Sequence, residues 1–119
     1  MKRNFTLLRR ILLDVEALPA GQEVSEFKCD DFDSDTVTEH VRLLFEGNLI
    51  DGMRTEHASG MDYSVSRLTW AGHDFLAKAK NDTIWKKVIA HAEEKGSSVP
   101  FSILDALLTK AAEKHLGLE

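Results

Sequence analysis

Residues Thr36 to Gly52 read TVTEHVRLLFEGNLIDG. Val37, Val41, Leu44 and Phe45 recur at the interval that lines one side of a helix. Gly47 and Asn48 follow, the residue types that best tolerate the left-handed turn ending many helices. The next residues, Leu49 to Gly52, open a strand. A helix that stops here and feeds straight into a strand decides how the rest of the chain is read.

On the N-terminal side, the acidic turn DDFDSD offers Ser34 or Asp35 as the helix cap. Before it, GQEVSEFKC alternates loosely through Val24, Glu26 and Phe27, which predicts a short half-buried strand. The opening residues predict a helix with Phe5, Leu8, Ile11, Leu12, Val15 and Leu18 on its apolar face and Leu13 off it, ended by Pro19 and Gly21. On the C-terminal side, LIDGMRTEH and MDYSVSRLTW form two strands around ASG, a β-hairpin with Gly60 near its tip. Thr69 caps a helix carrying Trp70, Phe75 and Leu76. Asn81 or Asp82 caps another, with Ile84, Trp85, Val88, Ile89 and Ala92 in one stripe ending at Gly96. Ser98 and Pro100 open the last helix, with Leu104, Leu107, Leu108, Ala111 and Leu116 on its apolar side.

The order helix, short strand, helix, β-hairpin wing, helix predicts an α+β, winged-helix-like domain over residues 1–80, with one helix missing or reduced to a turn. Residues 81–119 form a C-terminal helical extension packed on that domain or on a second copy, so monomer and homodimer both fit. Leu118-Glu119 also matches the remnant of a cloning junction.

Bulk composition narrows the function. Hydrophobic content of 43% with 29% charged residues is that of a folded globular chain. The net charge of −5, from 15 Lys and Arg against 20 Asp and Glu, removes any general attraction to polyphosphate, so a nucleic-acid contact would be local. Cys29 has no partner for an intrachain disulfide, and its neighbours Asp30 and Asp31 disfavour a reactive thiolate. Arg9, Arg10, Asp14 and Glu16 interrupt the apolar N-terminus too often for a signal peptide, and no run reaches membrane-span length. A cytoplasmic protein with no membrane partner is expected.

Three phrases, MKRNFTLLRRILLDVE, TEHVRLLFEGNLIDG and RLTWAGHDFLAKAKNDTIWKKV, together resemble a family of bacterial and phage hypothetical proteins classed only as a domain of unknown function. The resemblance covers nearly the whole chain. It implies a winged-helix-like fold and a phage or prophage setting, and it brings no reaction, ligand or catalytic residue. A looser likeness to winged-helix transcription regulators rests on Leu43, Leu44, Gly47, Leu49, Ile50, Leu68, Thr69 and Gly72. These are framework positions that attach the wing; none of them reads a base.

The chemistry-bearing residues divide by charge. With Val37, Val41, Leu44 and Phe45 inward, the Thr36–Gly47 helix turns Asp35, Thr38, Glu39, Arg42 and Glu46 outward, three acids against one base. Major-groove reading is carried mainly by Arg, Lys, Asn and Gln, so this face counts against insertion into DNA. The basic candidates are Arg54 and Arg67 on the hairpin and Lys78, Lys80, Lys86 and Lys87 around Asn81; Arg9 and Arg10 lie on the outer side of the first helix. His40, His57, His73, His91 and His115 lack zinc-ligand spacing, and no Gly-rich phosphate loop or nucleophile–base spacing occurs. No metal, cofactor or catalytic residue is assigned, and the protein is read as non-enzymatic. His40 and His73 read as hydrogen-bonded residues at the border of the core, and Trp70 and Trp85 as core anchors.

Two functions follow. The first is a DNA-binding transcriptional regulator using Arg54, Arg67, Lys78, Lys80, Lys86 and Lys87 on duplex DNA. The second is a protein-interaction module that presents the acidic Asp30 to Glu46 surface, with Asp35, Glu39, Arg42 and Glu46, to a host or phage partner. Fold analogy favours the first and charge placement the second; DNA-linked regulation is the leading expectation, because winged helices so often serve it, and the interaction module is the alternative. The assigned helix face itself is testable: Leu44→Ala should cost ~2–5 kcal/mol in chemical denaturation followed by far-ultraviolet circular dichroism. A change under about half a kcal/mol would place Leu44 outside the core.

Overall fold

The computed structural model describes residues 1–94 and 99–118. Gly96, Ser98 and Glu119, read above as a helix end, a helix opener and a terminal residue, lie outside them. The chain divides into two compact units, Met1–Asp74 and Phe75–Glu119. The architecture is α+β, with five helices and one two-stranded antiparallel hairpin among the described residues, compatible with a winged-helix-like arrangement.

Helix α1 spans Phe5–Glu16 and is capped by Asn4, whose side chain accepts the Leu7 N–H at 2.9 Å. It buries Leu7, Leu8, Ile11, Leu12 and Val15. Leu7 is missing from the face expected from spacing, and Phe5 and Leu18 are only half-buried. The buried stripe is broader because α1 is covered by both a helix and a strand.

Helix α2 spans Ser34–Glu46. Its cap is Asp33, not Ser34 or Asp35: the Asp33 carboxylate accepts the Thr36 N–H at 2.7 Å, the reach a cap side chain needs to its third helical residue. That hydrogen bond holds the Asp33 carboxyl below its usual range. Val37, Val41 and Leu44 are buried with His40 among them, while Phe45 is half-buried. At the far end, Asn48 N–H donates to the Phe45 carbonyl and Leu49 N–H to the Leu44 carbonyl, a Schellman closure. Asn48 takes the left-handed conformation at φ 59°, while Gly47 stays helical.

His40 has no exposed surface. Its Nε2 accepts the Asn4 backbone N–H at 2.8 Å, so the ring proton sits on Nδ1 and is donated to the Thr36 carbonyl, also at 2.8 Å. The imidazole is neutral and satisfied on both nitrogens. It ties the start of α1 to the middle of α2.

Strands β1, Ile50–His57, and β2, Gly60–Leu68, pair antiparallel with a bulge between Asp51 and Gly52. A Cβ on Gly52 would lie 2.0 Å from the Ser64 carbonyl oxygen, so the bulge is built on glycine. The strand expected over GQEVSEFKC shrinks to one bridge, Val24 to Val65, with both backbone bonds made at 2.9 and 2.8 Å. Val24 and Phe27 stand an odd number of residues apart and would face opposite sides of a strand, so no period-two apolar face extends the pairing.

The expected cap at Thr69 forms. Its hydroxyl accepts the Gly72 N–H at 3.0 Å and donates to the Asn48 carbonyl at 2.6 Å, while its own N–H donates to the Leu49 carbonyl at 3.0 Å. Helix α3, Trp70–Ala79, starts there. Trp70 is 86% exposed and is not a core anchor. Stepping roughly 100° per residue, it falls opposite the buried Phe75, Leu76 and Ala79.

The second unit holds α4, Asp82–Glu94, and α5, Phe101–His115. Asn81 caps α4 by accepting the Ile84 N–H at 3.0 Å. Trp85, Val88 and Ala92 are buried on α4, and Leu104 and Leu108 on α5. The Phe75 and Phe101 rings meet with centroids 4.9 Å apart. Leu116, expected on the apolar side, is exposed: it is the α5 cap, and Gly117 at φ 74° turns the chain away after it.

Gly72 is the tightest framework point. A Cβ there would lie 2.0 Å from the Leu49 carbonyl oxygen and 3.3 Å from the Leu68 Cβ. Gly72→Ala forces backbone apart and should destabilise by ~2–3 kcal/mol in urea denaturation; an unchanged midpoint would show that α3 start to be loosely seated.

Candidate interaction site

A groove of about 650 Å³ lies in the first unit between the segment Ser25–Lys28, the start of α2 and the outer half of the hairpin. Val37, Thr38 and Val41 line it from α2, and Met61, Asp62, Tyr63 and Ser64 from β2. Phe27 and Lys28 line the opposite side. Spacing along the sequence does not reveal this site. MDYSVS does alternate Met61, Tyr63 and Val65 onto one face, but the groove exists because Ser25–Lys28 leaves the sheet after Val24.

Beside the groove, Tyr63 stacks on Phe45 of α2 with centroids 5.4 Å apart, and the Arg54 guanidinium lies 5.5 Å from the Phe45 ring centre. Burial pushes the Tyr63 phenol above its ordinary range, with Arg42 acting in the opposite direction. On the outer face of α2, Arg42 donates to Glu39 through Nε at 3.0 Å and Nη2 at 2.8 Å, and through Nη1 to Glu46. These bonds hold the Glu39 carboxyl low and raise Arg42. Asp35 and Thr38 are exposed on the same helix.

The cations selected from sequence have separate fates. Arg54 and Arg67 belong to the first unit, and Lys78, Lys80, Lys86 and Lys87 to the second. Arg67 pairs with Asp51 at 3.1 Å. Lys78 is drawn onto α5, with Asp105 at 2.5 Å and Thr109 Oγ1 at 3.2 Å. Lys86 and Lys87 are exposed on α4. Among the described residues, no group of three or more His, Cys, Asp or Glu side chains is placed to hold a metal ion, and no helix is long and apolar enough to cross a membrane.

Residues 2–98 match the model of a family described as hypothetical protein DUF2513. The chain belongs to the DUF2513 family. An uncharacterized protein of Haemophilus influenzae is 36% identical to this DUF2513 chain over 96 residues, covering 74% of this chain and 75% of that one. No solved structure matches it.

Next to the groove, Cys29 of this DUF2513 protein is partly covered. Burial raises its thiol above the ordinary value, Asp14 and Asp30 act in the same direction, and Arg10 opposes them. A raised value means less thiolate at a given pH, so iodoacetamide should alkylate Cys29 more slowly than free cysteine at neutral pH, with the difference shrinking as pH rises through the thiol range. Alkylation as fast as free cysteine would contradict the burial.

Proposed function

We propose that this protein is a winged-helix-like module of a phage or prophage setting that acts by binding a protein partner rather than by catalysis, with the outer face of α2 and the adjoining hairpin as its contact surface. The observation that carries this reading is the pairing of Arg42 with both Glu39 and Glu46. Exposed ion pairs contribute little stability and rearrange readily, but they leave the sum of charge unchanged. Three acids and one base on that face repel a phosphate backbone and attract a basic protein surface. The stacked Phe45 and Tyr63 beside it, and Met53 at 64% exposure on β1, supply the apolar contact area that protein interfaces use.

A second reading, DNA-linked regulation, is favoured by the exposure of Arg54 on the hairpin and of Lys86 and Lys87 on α4. Engagement of Lys78 by Asp105 and of Arg67 by Asp51 reduces the cations on which that reading depends.

One comparison separates the two. Co-precipitation from cells should lose the partner with Glu39→Lys/Glu46→Lys and keep it with Lys86→Ala/Lys87→Ala, while fluorescence titration on duplex DNA should show no binding at low salt. Duplex binding whose salt slope falls by about one unit for each phosphate that the lysine variant no longer neutralises would establish the DNA reading instead.

A further inference from the structure

We propose that the groove beside β2 receives an extended, basic peptide segment of the partner, which adds as a strand to the free edge of β2 at Met61 and Tyr63. This rests on the protein-binding reading above and specifies how the partner is held.

The geometry follows from register. Across the hairpin, Val65 opposes Gly52, Tyr63 opposes Arg54 and Met61 opposes Glu56. Val65 spends both its backbone N–H and its C=O on Val24, the side away from β1. Backbone groups along an antiparallel strand alternate sides, so those of Tyr63 and Met61 also point away from β1. Among the described residues, Val24 is where bridging to that edge begins and ends. Beyond it Ser25–Lys28 swings off, and the groove opens where a third strand would lie. An unpaired edge is a template for another strand, and strand addition supplies main-chain hydrogen bonds while the lining decides side-chain preference.

Charge complementarity selects the occupant. The lining carries Glu26 and Asp62 against Lys28, and the chain continues from Lys28 into Asp30, Asp31, Asp33 and Asp35. Phe27, Val37, Val41 and Met61 give the groove an apolar wall. An occupant alternating apolar residues toward that wall with lysine or arginine toward the acids satisfies both. Period-two alternation places those two sets on opposite sides of a strand.

The test uses the full chain and a fluorescein-labelled peptide alternating Lys with Val and Thr, together with two versions of that peptide N-methylated at every second amide, one in each phase. Amide exchange by NMR should find Met61 and Tyr63 unprotected in the free protein and protected once the unmodified peptide is added. At least one N-methylated phase should bind at least about tenfold more weakly, because methylation deletes the donors that face β2. Glu26→Lys/Asp62→Lys should weaken the unmodified peptide by a similar factor. The N-methyl arms leave the protein unaltered, so a misfolded variant cannot imitate the result. Protected Met61 and Tyr63 amides in the free protein would mean that the chain's own 25–28 segment closes the edge, and would overturn the proposal. So would equal binding of all three peptides, or no binding of the unmodified one up to about 1 mM. If any of these accompanies loss of partner in Glu39→Lys/Glu46→Lys, strand addition fails while the protein-binding reading stands. If duplex binding replaces partner loss, both fail.

Discussion

A buried, neutral imidazole joins the two helices on which the first unit is assembled. The Asn4 N–H precedes the first turn of α1, where backbone donors have no partner within the helix, and His40 Nε2 supplies one from α2. The opposite ring nitrogen returns its proton to α2 at Thr36, one turn back. With no surface exposed, the ring has no access to bulk water as a substitute partner. An apolar side chain of similar size would fill the space and strand the donor, the more expensive of the two ways to lose a hydrogen bond. The hairpin then packs on a helix pair whose relative placement is already set, β2 against α1 and β1 against α2.

The hairpin is attached at its root by backbone hydrogen bonds as well as by the buried Leu49, Ile50 and Leu68 side chains. Asn48 and Leu49, which close α2, are also the residues whose carbonyls meet the Thr69 hydroxyl and N–H. The end of one helix and the beginning of the next are therefore held by a single short stretch, with the whole hairpin looped out between them. This gives part of the pattern of Leu49, Thr69 and Gly72 a physical reason: the Leu49 carbonyl receives the Thr69 N–H, the Thr69 hydroxyl accepts the orphan N–H of Gly72, and at Gly72 two backbones come closer than a Cβ allows.

Most local signals are legible in the sequence, the α2 cap at Asp33 rather than Ser34 or Asp35 being an exception, and non-local ones are not. The buried face of α2, the hairpin with Gly60 at its turn, and the caps at Thr69 and Asn81 depend on residues within a few positions of one another. Leu7 escapes because its burial comes from elements far along the chain, and Trp70 misleads because a large aromatic in a helix says nothing of burial without its angular position. The third strand fails for a related reason. Val24 finds a partner in Val65, but what Ser25–Lys28 does next depends on how α2 and β2 stand apart, and the groove follows from that separation. Charges show the same limit: both Lys78 and Arg42 are basic in the sequence, yet one is drawn onto α5 and the other is shared by two carboxylates of its own helix.

The contrast between the two tryptophans has an optical consequence. Trp70, in the first unit, is 86% exposed, and Trp85, in the second, is 3% exposed. An indole already in water has little left to gain in solvent contact when the chain around it unfolds, so Trp70 emits at long wavelength and meets dissolved quenchers in either state. Trp85 shifts to longer wavelength as its surroundings dissolve. Intrinsic emission is consequently a gauge of the helical second unit and nearly blind to the first, and a melting curve recorded by tryptophan fluorescence alone describes only part of this molecule.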